Sequence, residues 1–234
     1  MILEPLPYAD GDAALTGWLA RPASAARAAV AVFPTFMNTS PGIETKAQAL
    51  AEAGCIALIA DFYGPDAPHD AASAFAAMDR LRGDPHAMRA RLHASLAALG
   101  AVAPSLPQIA IGFCLGGMAV LELARDGADL ALVASFHGLL ATPLPATAPI
   151  GPRILVCHGD ADTLVPRSDV VAFWAEMDSV AADWQFLSFA RVGHGFTNPF
   201  TPARTPNPAY DPRADRHSWR ALMEMIDDVA PLPA

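Results

Sequence analysis

The chain has 234 residues, enough for one large α/β domain or two small ones, and with 53% of them hydrophobic and 17% charged a substantial core is available. Its formal net charge of −9 excludes the broad basic face that phosphate backbones require, so nucleic acid is not an expected partner. No run is long enough to cross a bilayer, and Met1-Ile2-Leu3-Glu4-Pro5 lacks the basic-then-apolar order of a secretory leader, so a cytoplasmic protein with no membrane partner is expected.

Residues 2–8 and 14–20 flank the turn-forming Asp10-Gly11-Asp12 and predict an opening hairpin. Residues 28–33 are apolar on both faces, hence a buried strand, and a loop follows over 34–42. A helical pattern over 44–53 stops at Gly54, and a second two-faced apolar strand over 55–60 ends at Asp61. Alanine-rich helices are expected over 71–81 and 85–99, broken at Gly83-Asp84. The apolar strand 108–111 runs into Gly112-Phe113-Cys114-Leu115-Gly116-Gly117, and a helix over 118–124 follows. Strands are expected over 130–136, 154–158 and 184–189, with a helix over 168–177. Proline-rich loops over 142–152 and 199–212 border them, and an amphipathic helix over 214–229 closes the chain. Strands alternating with helices, the inner strands without polar alternation, predict a mostly parallel sheet covered on both faces. No internal repeat or composition break marks a second domain, so residues 1–234 read as one domain.

The segment around Cys114 carries the most chemistry. A strand, a reactive side chain flanked by glycines and then a helix make a nucleophile elbow, here with cysteine where serine is commoner. The helix start brings backbone N–H groups and a positive dipole end to the sulfur, which favours thiolate. Three cysteines are too few and too scattered for a disulfide framework, and Cys55 and Cys157 lie inside strand-like runs as buried, inert thiols.

A nucleophile of this kind needs a base, and the base needs an acid that orients it. After Cys114 the next strand end bearing carboxylates is His158-Gly159-Asp160-Ala161-Asp162, followed by Val165-Pro166; the strand 184–189 is followed by Gly193-His194-Gly195-Phe196. Cys114, Asp162 and His194 thus stand in the chain order nucleophile, acid, histidine, each just past a strand's C-terminal end, where parallel sheets place their ligands. Asp162 is preferred as the acid because Val165-Pro166 fixes the loop exit behind it; Asp160 is the alternative, with a turn-capping role otherwise. His69, His86, His93 and His217 read as solvated, His158 as a loop tie, and His137 either as a hydrogen-bonded structural residue or as a pocket residue. His158, Asp160 and Asp162 alternate as metal ligands sometimes do, but their spacing matches no zinc motif, and no metal is expected.

These residues resemble the dienelactone hydrolase family of α/β-hydrolases, over nearly the whole chain. The resemblance rests on Asp61-Phe62-Tyr63-Gly64, the cysteine elbow, Ser135-Phe136-His137-Gly138, Asp162 with Val165-Pro166, His194-Gly195-Phe196-Thr197-Asn198-Pro199, and the tail from Tyr210 to Trp219. It implies an α/β-hydrolase fold and cleavage of small-molecule ester or lactone bonds through an acyl-cysteine, with no cofactor. Backbone N–H groups of Leu115 and Phe36 are the expected oxyanion donors. Thr35, Met37, Phe62, Tyr63, His137, Phe196 and Asn198 are the expected pocket residues, although the aromatic ones fit ordinary core equally well. In the dienelactone-cleaving members a glutamate stands where Thr35 aligns, and an arginine at about the place of Asn198. The alternative is a non-catalytic member that binds a small molecule without turning it over.

Overall fold

The computed structural model of the chain describes residues 2–200 and 210–232; residues 201–209 of the second proline-rich loop lie outside the described residues. Strands β1 (Glu4–Asp10) and β2 (Ala13–Ala20) form the antiparallel hairpin, turning at Gly11, whose φ of 55° suits a residue without Cβ. Next come β3 (Ala28–Phe33), β4 (Cys55–Ile59), β5 (Gln108–Phe113), β6 (Leu132–Phe136), β7 (Arg153–Gly159) and β8 (Trp184–Phe189). Among the described residues these make one eight-stranded sheet in the order β1-β2-β4-β3-β5-β6-β7-β8. β2 runs antiparallel to β4, and the pairs from β4 through β8 are parallel.

The inner strands are small and branched, and β3 and β6 are buried along their full length, as two-faced parallel strands must be. One face is covered by α3 (Pro85–Val102), α4 (Leu115–Arg125) and α5 (Arg167–Ser179), which bring Leu92, Val120 and Phe173 to the core. The other is covered by α1 (Pro41–Glu52) and α6 (Pro212–Val229) through Leu50, Leu222 and Ile226. The remaining helix, α2 (Ala71–Gly83), buries Ala74 and Ala77 and little else.

Several boundaries depart from the sequence reading by a few residues. α1 begins at Pro41 rather than 44, because proline at the first turn lacks only an N–H that has no helical partner anyway. α4 begins at Leu115 rather than 118: its two early glycines lower helix propensity, but tertiary contacts override that cost. Strand β6 starts at Leu132 rather than 130. No helix among the described residues is long and apolar enough to cross a membrane.

The register decides where the chemistry gathers. Phe33 pairs with Gly112, Phe113 with Phe136, and Phe136 with Cys157, so β3, β5, β6 and β7 finish together at one sheet edge. The residues that follow them, 34–38, Cys114, His137 and 160–162, are delivered to that edge.

Candidate active site

Cys114 sits between β5 and α4 with φ 55° and ψ −111°, a conformation costly for any residue with a side chain. Glycine on both sides makes the turn possible: a Cβ on Gly112 would strike the Gly116 carbonyl, and one on Gly116 the Phe33 carbonyl. The strained turn lifts the sulfur off the sheet edge into a cavity of about 440 Å³.

His194 Nε2 lies 3.0 Å from Cys114 Sγ, and its Nδ1 lies 2.7 Å from Asp162 Oδ2. Asp162 is buried, and its second oxygen accepts the Leu164 N–H at 2.9 Å, which leaves the carboxylate one orientation. Burial alone lowers the His194 pKa; hydrogen bonds to Asp162 and Cys114, with the charge of both, outweigh burial and raise it to about 10. The geometry separates the two candidate acids: Asp160 faces solvent and is held by Arg167 at 3.1 and 2.6 Å. Among the described residues no three His, Cys, Asp or Glu side chains gather as metal ligands would.

His137 lines the cavity and is also a structural tie. It is buried, with φ 42°, and its Nδ1 accepts the Cys114 N–H at 3.1 Å, a proton shared with the Phe136 carbonyl at 3.0 Å. Nδ1 therefore carries no proton, and Nε2–H donates to Thr197 Oγ1 at 2.9 Å. Burial, then the charge of His194, holds its pKa well below the ordinary histidine value, so the ring is neutral. One imidazole thus ties the elbow to the segment carrying His194, with the two rings edge to face at 5.1 Å.

The loop after β3 forms the opposite lip. Thr35, Phe36 and Met37 line the cavity there, and Thr35 Oγ1 accepts the Met37 N–H at 3.3 Å. The loop turns at Asn38, whose φ of 62° is one asparagine tolerates, and Asn38 Nδ2 donates to Asp61 at 3.0 Å. The buried Asp61 also accepts the N–H groups of Thr16, Tyr63 and Gly64 at 3.0, 3.0 and 2.9 Å. Leu115 is the first residue of α4, where the helix supplies no acceptor for its N–H.

Three expected pocket residues stand elsewhere. Phe62 and Phe196 are fully buried in the core, on opposite faces of the sheet. Tyr63 lies behind the loop, where its hydroxyl donates to the Phe36 carbonyl at 3.0 Å; burial, then charge on Cys114, pushes that hydroxyl's pKa up and keeps it a donor. Neighbourhood in sequence placed these rings beside the site, but none of the three contributes to the cavity lining. Asn198 does line the cavity, with its Oδ1 accepting the Phe200 N–H at 3.0 Å.

Sequence reasoning missed Lys46, Phe75 and Thr197, all on the cavity wall. Lys46 is paired with Asp215 at 2.6 Å and lies 4.7 Å over the Trp219 ring. A signal existed for Phe75, a single aromatic in an otherwise alanine-rich stretch. Among the described residues, no carboxylate lines the cavity.

The sequence profile of the dienelactone hydrolase family matches residues 15–230. The chain is similar to the crystal structure of the dienelactone hydrolase-like promiscuous phosphotriesterase P91 from metagenomic libraries, at 33% identity and a TM-score of 0.90 over 98% of each chain. It is 37% identical to an uncharacterized protein of Caenorhabditis elegans over 149 residues, 60% of this chain and 93% of that one. It is 28% identical over 227 residues to a Bradyrhizobium protein described as a probable 2-oxo-3-(5-oxofuran-2-ylidene)propanoate lactonase, covering 90% of this chain and 87% of that one.

Proposed function

The chain belongs to the dienelactone hydrolase family, and from that premise we propose that it hydrolyses small-molecule esters or lactones with Cys114 as nucleophile, His194 as base and Asp162 as the acid that orients it. The observation that carries the reading is the unbroken chain Sγ–Nε2, Nδ1–Oδ2, at 3.0 and 2.7 Å.

In the first half-reaction the Cys114 proton passes to His194 Nε2, and the sulfur forms a bond to the carbonyl carbon. The carbonyl oxygen takes the electron pair and is met by the N–H groups of Leu115 and Phe36. Donors aimed at such an oxygen contribute about 3–4 kcal/mol each. As the tetrahedral species collapses, the carbon–oxygen bond breaks and His194 returns its proton to the departing oxygen. In the second half-reaction His194 takes a proton from water, the hydroxide adds to the thioester, the acid leaves as the carbon–sulfur bond opens, and His194 returns its proton to the sulfur. The sequence of steps uses no cofactor. The raised His194 pKa supports it, because the hydrogen bonds to Asp162 and Cys114 that outweigh burial hold on the imidazole a proton it has received.

Stopped-flow hydrolysis of p-nitrophenyl acetate tests this. A burst of p-nitrophenol equal to the enzyme concentration, followed by slower turnover and abolished in Cys114→Ala, is expected. Turnover by Cys114→Ala at the wild-type rate contradicts the assignment.

A further inference from the structure

We propose that the cavity is divided by the chemistry into two sides, and that Phe36 and Phe75 form an acyl-side clamp selecting esters and lactones whose acyl part carries an apolar ring or medium alkyl chain. The inference rests on the triad reading above and adds to it which part of the substrate goes where.

Directions are fixed by the carbon bonded to Cys114 Sγ. Its oxyanion points to the Leu115 and Phe36 N–H groups. Its leaving oxygen must lie by His194 Nε2, which delivers the proton, and the departing alcohol therefore takes the His194 side of the cavity, whose lining includes Gly195, Thr197 and Asn198. This flank is closed by α1: a Cβ on Gly42 would sit 3.0 Å from Asn198 Oδ1. The acyl substituent has the remaining direction, past Phe36 toward α2, where Ala71 and Phe75 complete the wall.

The two rings there are set as a platform. Their centroids are 4.6 Å apart and their planes meet at 31°. The backbone of Phe36 is held by the Tyr63 hydroxyl on its carbonyl, while Phe75 is 53% exposed on a helix that buries little more than two alanines. A phenylalanine half in water contributes little to the core, but at a cavity wall it offers apolar area to whatever enters. A cavity of about 440 Å³ also exceeds the needs of an acetyl group and falls in the range of drug-sized ligands.

The experiment varies acyl group and leaving group separately, in the wild-type chain, Phe75→Ala and Phe75→Trp. On p-nitrophenyl hexanoate and benzoate, Phe75→Ala is expected to lower kcat/KM about tenfold while p-nitrophenyl acetate changes by less than about twofold, the scale of a lost apolar contact. Phe75→Trp, which restores an aromatic face, keeps the wild-type order of acyl preference. Exchanging p-nitrophenyl for 2-naphthyl acetate leaves both variants at the wild-type ratio. A loss in Phe75→Ala that is equal across acyl groups, or that follows the leaving group, overturns the clamp while the triad stands. Absence of hydrolysis by the wild-type chain on every ester, with Cys114 unmodified, overturns the triad reading and the clamp together.

Discussion

The two walls of the cavity are built by different means. On one side Cys114, His137, Asp162 and His194 follow the ends of β5, β6, β7 and β8, and hydrogen bonds tie them into one set: sulfur to His194, His194 to Asp162, and the Cys114 N–H to His137. On the other side stand Phe36 on a loop and Phe75 on α2, with apolar faces turned to the cavity and one ring more than half exposed. Proton transfer tolerates errors of a few tenths of an ångström, so its groups are set on the sheet and locked by polar partners. Apolar contact tolerates far more, so it is left to a loop and a thinly packed helix. Substitutions on the first wall should act on kcat for every substrate, and those on the second on substrate choice.

The sharpest way to break that contrast is at the sulfur. Cys114→Ala should lower kcat/KM for all esters by about ten-thousandfold or more, as loss of a nucleophile does elsewhere. Asp162→Asn should follow, at about a thousand- to ten-thousandfold in kcat with KM little changed, because the amide selects the wrong imidazole tautomer. A selective effect of either on long acyl groups would erase the division between the walls.

His137 sharpens the comparison, since it lines the cavity yet belongs to the chemical wall. His137→Ala should lower kcat about a hundredfold by freeing both the elbow and the His194 segment, the scale of a misplaced reacting group. The pH at which iodoacetamide begins to alkylate Cys114 should rise in the same variant, and His137→Gln, with a carbonyl to accept the Cys114 N–H, should restore part of both. Lost stability without a shift in the alkylation profile would make His137 merely structural.

A smaller effect follows from the sign of the His194 shift. Its pKa rises from 6.5 to about 10 on folding, so its contribution to stability is complete below about pH 6.5 and lost as pH climbs through 10. The difference in urea midpoint between the wild-type chain and His194→Gln should therefore be widest near pH 6 and shrink toward pH 10.5. A difference that grows with pH contradicts the raised pKa.

How much was legible in the sequence differs between the same two walls. The elbow's glycines and the placement of Asp162 and His194 after apolar strands were readable because sheet geometry delivers strand ends to one edge. Local spacing does not say which way a ring after a strand turns, so Phe62 and Phe196 fit pocket and core equally well in the sequence, and both are core. Phe75 and Lys46 come to the cavity on helices whose position depends on packing far along the chain; the lone aromatic among alanines hinted at Phe75, and no local pattern announced Lys46. The Asp61–Asn38 bond, which steadies the loop bearing Phe36, joins residues 23 positions apart and was equally invisible.

Peptide mass spectrometry after rapid acid quenching during turnover of p-nitrophenyl hexanoate tests the central claim most directly. A hexanoyl group on the peptide containing Cys114, formed within the burst and gone after substrate is exhausted, is the predicted result. Continued hydrolysis with that peptide unmodified at every quench time would contradict it.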